Sequence, residues 1–142
     1  MNNLITTLFY LGRLPIAPGT WGSMGALLVW YLIPVNYLLR ILILIVTCII
    51  GYIACEAVLK ESDEPDPSYI VIDEVVGLWL ALLFIPNSLF LFILGFALFR
   101  MFDILKPSFI HQSQFLPGAK GVMVDDILAG TFTLIILLGV MA

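Results

Sequence analysis

The sequence predicts an all-α protein, a compact multi-helix bundle embedded in a membrane, and two observations support this fold class. Of the 142 residues, 62% are hydrophobic and 11% are charged, whereas soluble domains carry about 25% charged residues. A soluble domain of this size cannot bury so much apolar surface. The apolar runs are also too long, and alternate too little, for the strands of a membrane barrel. A water-soluble helical oligomer with a very apolar interface is the alternative.

Six apolar segments follow one another, separated by short breaks rich in proline, glycine and charge. They run from Leu4 to Leu11, Trp21 to Ile33, Tyr37 to Leu59, Ile70 to Ile85, Ser88 to Leu105 and Val122 to Met141. The first is too short to span a membrane, and we expect it to lie along the interface or to pack as a short helix. The third is the longest and the clearest spanning helix. Several others are short for a hydrocarbon layer of about 30 Å, so we expect them to be partly interfacial or to thin the bilayer locally.

The composition and spacing of residues also argue against nucleic-acid binding and against a disulfide bond. The net charge is −4 and no basic patch is present, so we expect no nucleic-acid partner. Cys48 and Cys55 lie in one apolar run, where a helix would separate them by roughly 10 Å along its axis, too far for a disulfide. The length fits a single domain over residues 1–142.

The distribution of charge predicts the topology in the membrane. If the last five segments cross, the two shortest connections, 34–36 and 86–87, share one side. The other side collects all ten acidic residues, counted with their nearest helix ends, and five of the six Lys and Arg residues. Arg40 alone lies by the short connections. The positive-inside rule then places the polar ends of the helices, and the site they carry, in the cytoplasm.

Four polar clusters fall on that side, and the first is the segment 14–23. Its prolines stiffen the chain, its glycines allow another group close to the backbone, and a helix begins nearby. The free N–H groups of a helix start, together with the hydroxyls of Thr20 and Ser23, favour an anion. A capped turn between two helices is the structural alternative.

The second and fourth clusters each place two adjacent acids near the start of an apolar helix, with a glycine one turn later. The helix dipole favours acids there, which is a purely structural explanation. Adjacent carboxylates beside a membrane segment are nevertheless costly unless they are solvated or bound to cations, and the glycine lets a neighbouring helix approach closely. The two sets are Asp73, Glu74 and Gly77, and Asp125, Asp126 and Gly130.

The third cluster combines both signs of charge near the end of an apolar segment. Arg100, Asp103 and Lys106 are spaced three residues apart, which puts them on one broad helix face. They form either an internal ion-pair ladder with a snorkelling lysine or a grip on an anionic oxygen, with the aspartate facing a metal.

Taken together, the clusters predict metal-assisted phosphoryl chemistry at a membrane surface. Carboxylates from two helices brought into one pocket cannot stay ionised without cations. Oxygen-only ligands favour Mg²⁺ or a similar hard cation, and the neighbouring basic residues favour a phosphate. The single histidine excludes a multi-histidine site, and neither a P-loop nor a nucleophile elbow is present.

In this order and spacing the motifs are specific, and the chain resembles the phosphatidylglycerophosphatase A family, Mg²⁺-dependent lipid phosphatases of bacterial membranes. The resemblance covers about Leu14 to Gly130. It rests on four motifs: Pro18-Gly19-Thr20 with Gly22-Ser23; Asp66 followed by Val71-x-Asp73-Glu74-x-x-Gly77; Phe99-Arg100-x-x-Asp103-x-x-Lys106-Pro107; and Gly121-x-Met123-x-Asp125-Asp126-x-x-Ala129-Gly130.

The resemblance implies hydrolysis of phosphatidylglycerophosphate to phosphatidylglycerol and inorganic phosphate at the cytoplasmic face of the bacterial inner membrane. We expect Thr20, Ser23, Arg100 and Lys106 to bind the phosphomonoester. We expect Asp73, Glu74, Asp103 and Asp126 to be catalytic. The expected Mg²⁺ ligands are Asp66, Asp73, Glu74, Asp103, Asp125 and Asp126.

Two other classes of function and one assembly state stay open at this point. In a small cation transporter or channel the acids would line a path, although transporter sites usually lie near the bilayer midplane and these acids cluster at helix ends. A non-catalytic membrane subunit would leave the four clusters unexplained. The expected partners are the lipid substrate and the bilayer, and assembly into a homo-oligomer is left open.

Overall fold

The computed structural model describes residues 1–64, 67–113 and 115–142, and in these ranges the chain is helical and contains no strand. The all-α prediction is therefore confirmed. A 3₁₀ turn, Leu11–Arg13, links the first two helices. The helices are α1 (Asn2–Thr6), α2 (Pro18–Leu32), α3 (Tyr37–Leu59), α4 (Ile72–Ala81), α5 (Leu89–Leu105), α6 (Ser108–Ser113) and α7 (Ala119–Met141).

Helix α4 lies at the centre and contacts α2, α3, α5 and α7. It is buried on nearly all sides, in keeping with a helix that is apolar around its circumference. Two tryptophans join it to α2: the Trp30 and Trp79 rings stack with centroids 5.0 Å apart. The indole N–H of Trp79 donates to the carbonyl of Ala26 over 2.9 Å. Because α4 carries two acids in its first turn, this central position carries those acids into the interior.

Helices α4 and α7 touch through their glycines. A Cβ added to Gly130 would overlap the carbonyl oxygen of Gly77, and one added to Gly77 would lie 2.5 Å from the carbonyl oxygen of Asp126. Only hydrogen fits between the two backbones at this crossing. The predicted close approach beside the acidic pairs is confirmed.

The two short connections meet at one end of the bundle, around Arg40. Its guanidinium donates to the carbonyl oxygens of Ile85 (2.9 Å) and Ile33 (3.3 Å) and to Oδ1 of Asn87 (2.7 Å). The side chain is completely buried. Arg40 therefore ties the ends of α2 and α4 to the start of α3.

Two helices, α3 and α7, are long and apolar enough to cross a membrane. Along α3 the outward residues are apolar and exposed at helical spacing: Leu38, Leu42, Ile45, Ile49 and Ile53 are 51–78% exposed. An exposed apolar face of this kind is typical of a surface that contacts lipid or another protein. The other three predicted crossings form shorter helices, since α4 stops at Ala81 and α2 and α5 are interrupted by the proline-bearing connections.

Several boundaries differ from the prediction. The first segment packs as a short helix, which was one of the two expectations, but this helix ends at Thr6, because Leu8, Phe9 and Tyr10 adopt left-handed backbone angles. Residues 108–113 form a helix inside a stretch that the sequence predicts as a connection. Helix α7 begins at Ala119, so its two acids lie beyond the first turn. The dipole explanation for this acidic pair is therefore weakened.

Candidate active site

A cavity of about 290 Å³ opens where the starts of α2 and α4 meet the end of α5 and the first half of α7. Three of the four polar clusters supply its charged lining, and the first cluster supplies backbone at its rim. The structure thus brings together acids and bases that are more than fifty residues apart in the chain. The charged residues lining it are Asp73, Glu74, Arg100, Asp103, Lys106, Asp125 and Asp126.

Arg100 links three helices at one wall of this cavity. Its Nη1 lies 2.6 Å from Oδ2 of Asp103, one turn along α5, and 2.9 Å from Oε2 of Glu74 on α4. The same glutamate oxygen accepts a hydrogen bond of 2.6 Å from the hydroxyl of Ser23 on α2. All three charged side chains are at most 16% exposed. Of the ladder predicted for Arg100, Asp103 and Lys106, the structure forms the Arg100–Asp103 pair, and Arg100 also pairs with Glu74 on a neighbouring helix. Lys106 pairs with Asp125 instead.

Lys106 follows the last residue of α5 and has a left-handed backbone conformation. Its Nζ lies 2.6 Å from Oδ2 of Asp125. Burial lowers the pKa of Lys106, but the hydrogen bond to Asp125 and the negative charges of Asp125, Asp126 and Asp103 outweigh it, so that the pKa is raised. The lysine therefore stays cationic at the cavity.

Asp126 is the most enclosed acid of the site. It is 2% exposed, and its Oδ2 accepts no hydrogen bond from any residue that the structure describes. Asp73, on the facing helix, is 8% exposed and lines the same cavity. A buried carboxylate oxygen without a donor is costly, and either a proton or a bound cation would satisfy it.

The oxygen-only chemistry of the cavity fits a hard divalent cation. Within 1–64, 67–113 and 115–142, however, no group of three or more acidic, histidine or cysteine side chains is arranged to enclose a metal ion. Arg100 and Lys106 take up oxygens of Glu74, Asp103 and Asp125 in ion pairs instead.

The first cluster meets the site through its backbone. A Cβ on Gly19 would overlap the carboxylate of Glu74, so a glycine is needed for this approach. Ser23 is completely buried behind the glutamate. Among the described residues, neither Thr20 nor Ser23 lines the cavity. Asp66, the remaining predicted ligand, lies outside the described residues.

Glu56 is a site-supporting residue that the sequence reasoning missed. Its Oε2 accepts a hydrogen bond of 3.1 Å from the N–H of Ala119, the first residue of α7. It is an acid near the end of a long apolar helix, and an acid in that position needs a partner, which is the signal that could have found it. The contact sets where α7 begins, and hence where its two aspartates lie.

Comparison with known proteins now identifies the family. The family model described as phosphatidylglycerophosphatase A matches residues 4–141. The chain belongs to this family. A Haemophilus influenzae phosphatidylglycerophosphatase A is 35% identical over 142 residues, covering 97% of this chain and 87% of that protein. The protein of the same name from Escherichia coli K12 is 34% identical over 134 residues, covering 92% and 78%.

A third similar protein carries a different name. It comes from Bacteroides thetaiotaomicron, is 38% identical over 142 residues, and covers 94% of this chain and 89% of its own length; its name proposes a phosphatidylinositol-3-phosphatase. No solved structure matches the chain. The family assignment favours a lipid phosphatase over the transporter or channel that the sequence left open.

Proposed function

We propose that this chain hydrolyses phosphatidylglycerophosphate to phosphatidylglycerol and inorganic phosphate in phospholipid synthesis. The observation that carries this proposal is that, in a chain matched by the family model across residues 4–141, charged side chains from α4, α7 and the end of α5 line one cavity. Phosphomonoester hydrolysis needs positive charge for the phosphoryl oxygens and acid groups for metal binding or proton transfer. This cavity offers both.

Positive charge at the cavity comes from Arg100 and Lys106, which we assign to the phosphoryl oxygens. Both are held by carboxylates, so their side chains are positioned before a substrate arrives. The catalytic acids are Asp73, Glu74, Asp103 and Asp126. For Ser23 we now propose a positioning role through its hydrogen bond to Glu74, since the hydroxyl is buried away from the cavity. Thr20 follows Gly19 in the first turn of α2, and we assign it no contact with the substrate.

A Mg²⁺ requirement is part of the proposal, and Asp73, Glu74, Asp103, Asp125 and Asp126 are the described residues that would hold the ion. The Oδ2 atom of Asp126, which accepts no hydrogen bond from a described residue, supports the proposed Mg²⁺ requirement. When bound, the ion supplies positive charge against the phosphoryl oxygens and the leaving oxygen. The chain itself excludes bulk water from Asp125 and Asp126, which are 3% and 2% exposed.

We place the chain in the bacterial inner membrane as a multi-pass bundle whose cavity faces the cytoplasm. Two membrane-length helices and the exposed apolar face of α3 support membrane insertion. The excess of Lys and Arg at the cavity end supports the orientation. With the acyl chains among the helices, only the headgroup has to reach the carboxylates.

The test is release of inorganic phosphate from phosphatidylglycerophosphate in mixed micelles by the purified chain. We expect turnover with Mg²⁺, none with excess chelator, and recovery when Mg²⁺ is restored. Turnover that does not change when the metal is chelated would contradict the Mg²⁺ assignment but would still support phosphatase activity. Absence of turnover under all these conditions would contradict the proposed function.

A second substrate is tested in the same assay because of the Bacteroides relative. Phosphatidylinositol 3-phosphate also carries a phosphomonoester on a lipid headgroup, but on a bulkier ring. We expect a lower kcat/KM for it than for phosphatidylglycerophosphate, since the carboxylate cavity holds only about 290 Å³. A higher kcat/KM for phosphatidylinositol 3-phosphate would show that this lipid, rather than phosphatidylglycerophosphate, is the preferred substrate.

A further inference from the structure

A second, larger cavity adjoins the candidate active site, and the proposed hydrolysis assigns no role to it. It has a volume of about 690 Å³ and shares Pro18 and Ser68 with the carboxylate cavity. Arg13 and Tyr69 form part of its lining, and Glu61 is the one acid among its described lining residues. Two neighbouring cavities, one containing Arg100 and Lys106 and the other containing Arg13, suit a ligand with two separate anionic groups.

Arg13 is held in this second cavity by aromatic rings. Its guanidinium carbon lies 5.6 Å from the ring centre of Tyr10 and 5.9 Å from that of Tyr69. A guanidinium that stacks on rings keeps the N–H donors at its edge for an anion. It makes no ion pair with an acid of the described ranges, in contrast to Arg100.

The backbone around Arg13 is strained and anchored to the active site. Leu8, Phe9 and Tyr10 have φ values of 44°, 55° and 68°, a left-handed run that bulky residues rarely adopt. Such strain persists where the surroundings enforce it, and it concentrates at binding sites. Here Gly12 packs so closely on the carbonyl of Tyr69 that a Cβ would overlap it.

A second backbone contact fixes the same segment to the start of α4. The N–H of Val71 donates to the carbonyl of Thr6 over 2.8 Å. Val71 directly precedes α4, which carries Asp73 and Glu74 in its first turn. The position of Arg13 is therefore set relative to the catalytic acids.

We propose that the cavity around Arg13 binds a lipid phosphodiester, namely the one that joins the headgroup of the substrate to its diacylglycerol. This inference rests on the proposed function. A phosphatidylglycerophosphate headgroup carries a terminal phosphomonoester and an inner phosphodiester, separated by one glycerol. With the monoester between Arg100 and Lys106, the diester falls in the neighbouring compartment. Arg13 would then distinguish this substrate from phosphomonoesters that have no second phosphate.

The experiment compares wild type with Arg13→Gln by binding titration in detergent, using two probes. Short-chain phosphatidylglycerol has the diester only, and inorganic phosphate is matched to the carboxylate cavity only. We expect about tenfold weaker binding of the lipid and unchanged binding of phosphate, since a charge-assisted hydrogen bond contributes roughly a factor of ten or more. Lys120→Gln, which removes an exposed positive charge outside both linings, is the matched control.

Kinetics then connect the site to the substrate. We expect Arg13→Gln to raise KM for phosphatidylglycerophosphate about tenfold with little change in kcat, and Arg13→Lys to recover part of the loss. Equal binding of short-chain phosphatidylglycerol by Arg13→Gln and wild type would overturn the inference, as would weaker lipid binding without any change in KM. Failure of wild type to release phosphate would refute the proposed function alone, because the titration still reports on the Arg13 cavity.

Discussion

Each end of the bundle contains an arginine, Arg40 completely buried and Arg100 partly buried, and the partners of the two arginines differ. Arg40 contacts two backbone carbonyls and an asparagine side chain, and its guanidinium lies 5.3 Å from the ring of Trp30. Arg100 contacts the carboxylates of Glu74 and Asp103. The first set is neutral and closes the ends of helices. The second set is charged and lines a cavity.

An arginine enclosed in an apolar helical bundle is therefore not by itself a sign of function. Carbonyls at helix ends need donors in any fold, so Arg40 satisfies a structural demand. At the other end, five carboxylates face two cations in one cavity, an excess of negative charge that folding alone does not require. The groups that an arginine contacts, rather than its burial, distinguish a structural arginine from one at a reactive site.

We expect the strongest loss of activity from a change at Asp126, whose Oδ2 accepts no hydrogen bond from any described residue. Asp126→Asn keeps the shape of the side chain but removes its charge, and we expect phosphatase activity to fall by about a hundredfold or more. The melting temperature should hold or rise, because the mutation relieves repulsion among buried acids. Phosphate release and thermal unfolding measure the two effects, with the exposed Asp63→Asn as control. Full activity in Asp126→Asn would remove this residue from the site.

Exchanging the two arginines for methionine tests the comparison directly. Arg100→Met should lose about a hundredfold in activity while the protein remains folded. Arg40→Met should lose about 2–4 kcal/mol of stability, because the carbonyls of Ile33 and Ile85 are left without their donor, while the folded fraction keeps its kcat. If Arg40→Met lowers kcat without lowering stability, the distinction between the two ends is wrong.

The contact between α4 and α7 should be sensitive to a single methyl group. We expect Gly130→Ala to cost about 1–3 kcal/mol and to lower activity, because the added Cβ forces the backbone of Gly77 away and displaces the acids of both helices. Gly139→Ala, with nothing within 4 Å of its Cβ, should leave both properties unchanged. Denaturation midpoints and phosphate release for the two variants check this.

The smallest expected effect is at the N-terminus of α7. Glu56→Ala removes the acceptor for the Ala119 N–H and should cost about 1 kcal/mol, as the loss of a helix cap does. Glu56→Gln retains a side-chain oxygen and should cost less. A thermal unfolding series separates the two, and equal stability of the alanine variant and wild type would show that this contact does not support α7.

Much of the helical layout followed from local pattern. Helix α3 has the predicted bounds, Tyr37–Leu59, because a long apolar run is preceded by Asn36, whose Oδ1 caps the Leu39 N–H over 3.1 Å. The first turn of α4 holds Asp73 and Glu74 as predicted. In both places short-range chemistry decides the structure, and short-range chemistry can be read along the chain.

The left-handed run before Leu11, the early start of α7 and the burial of Ser23 could not be predicted in this way. Each depends on a contact made across the chain, such as Thr6 with Val71 or Glu56 with Ala119. Propensity favours a longer first helix and a later start for α7, and tertiary packing overrides it.

The sequence alone therefore determined the helical class, the apolar segments and the kind of chemistry, since composition and spacing act locally. Which acids share a cavity, and which groups surround Arg40 and Arg100, were decided by the packing of the helices against one another. The physical reason is that a charge in an apolar interior takes its pairing from whichever groups surround it, and those groups come from distant parts of the chain.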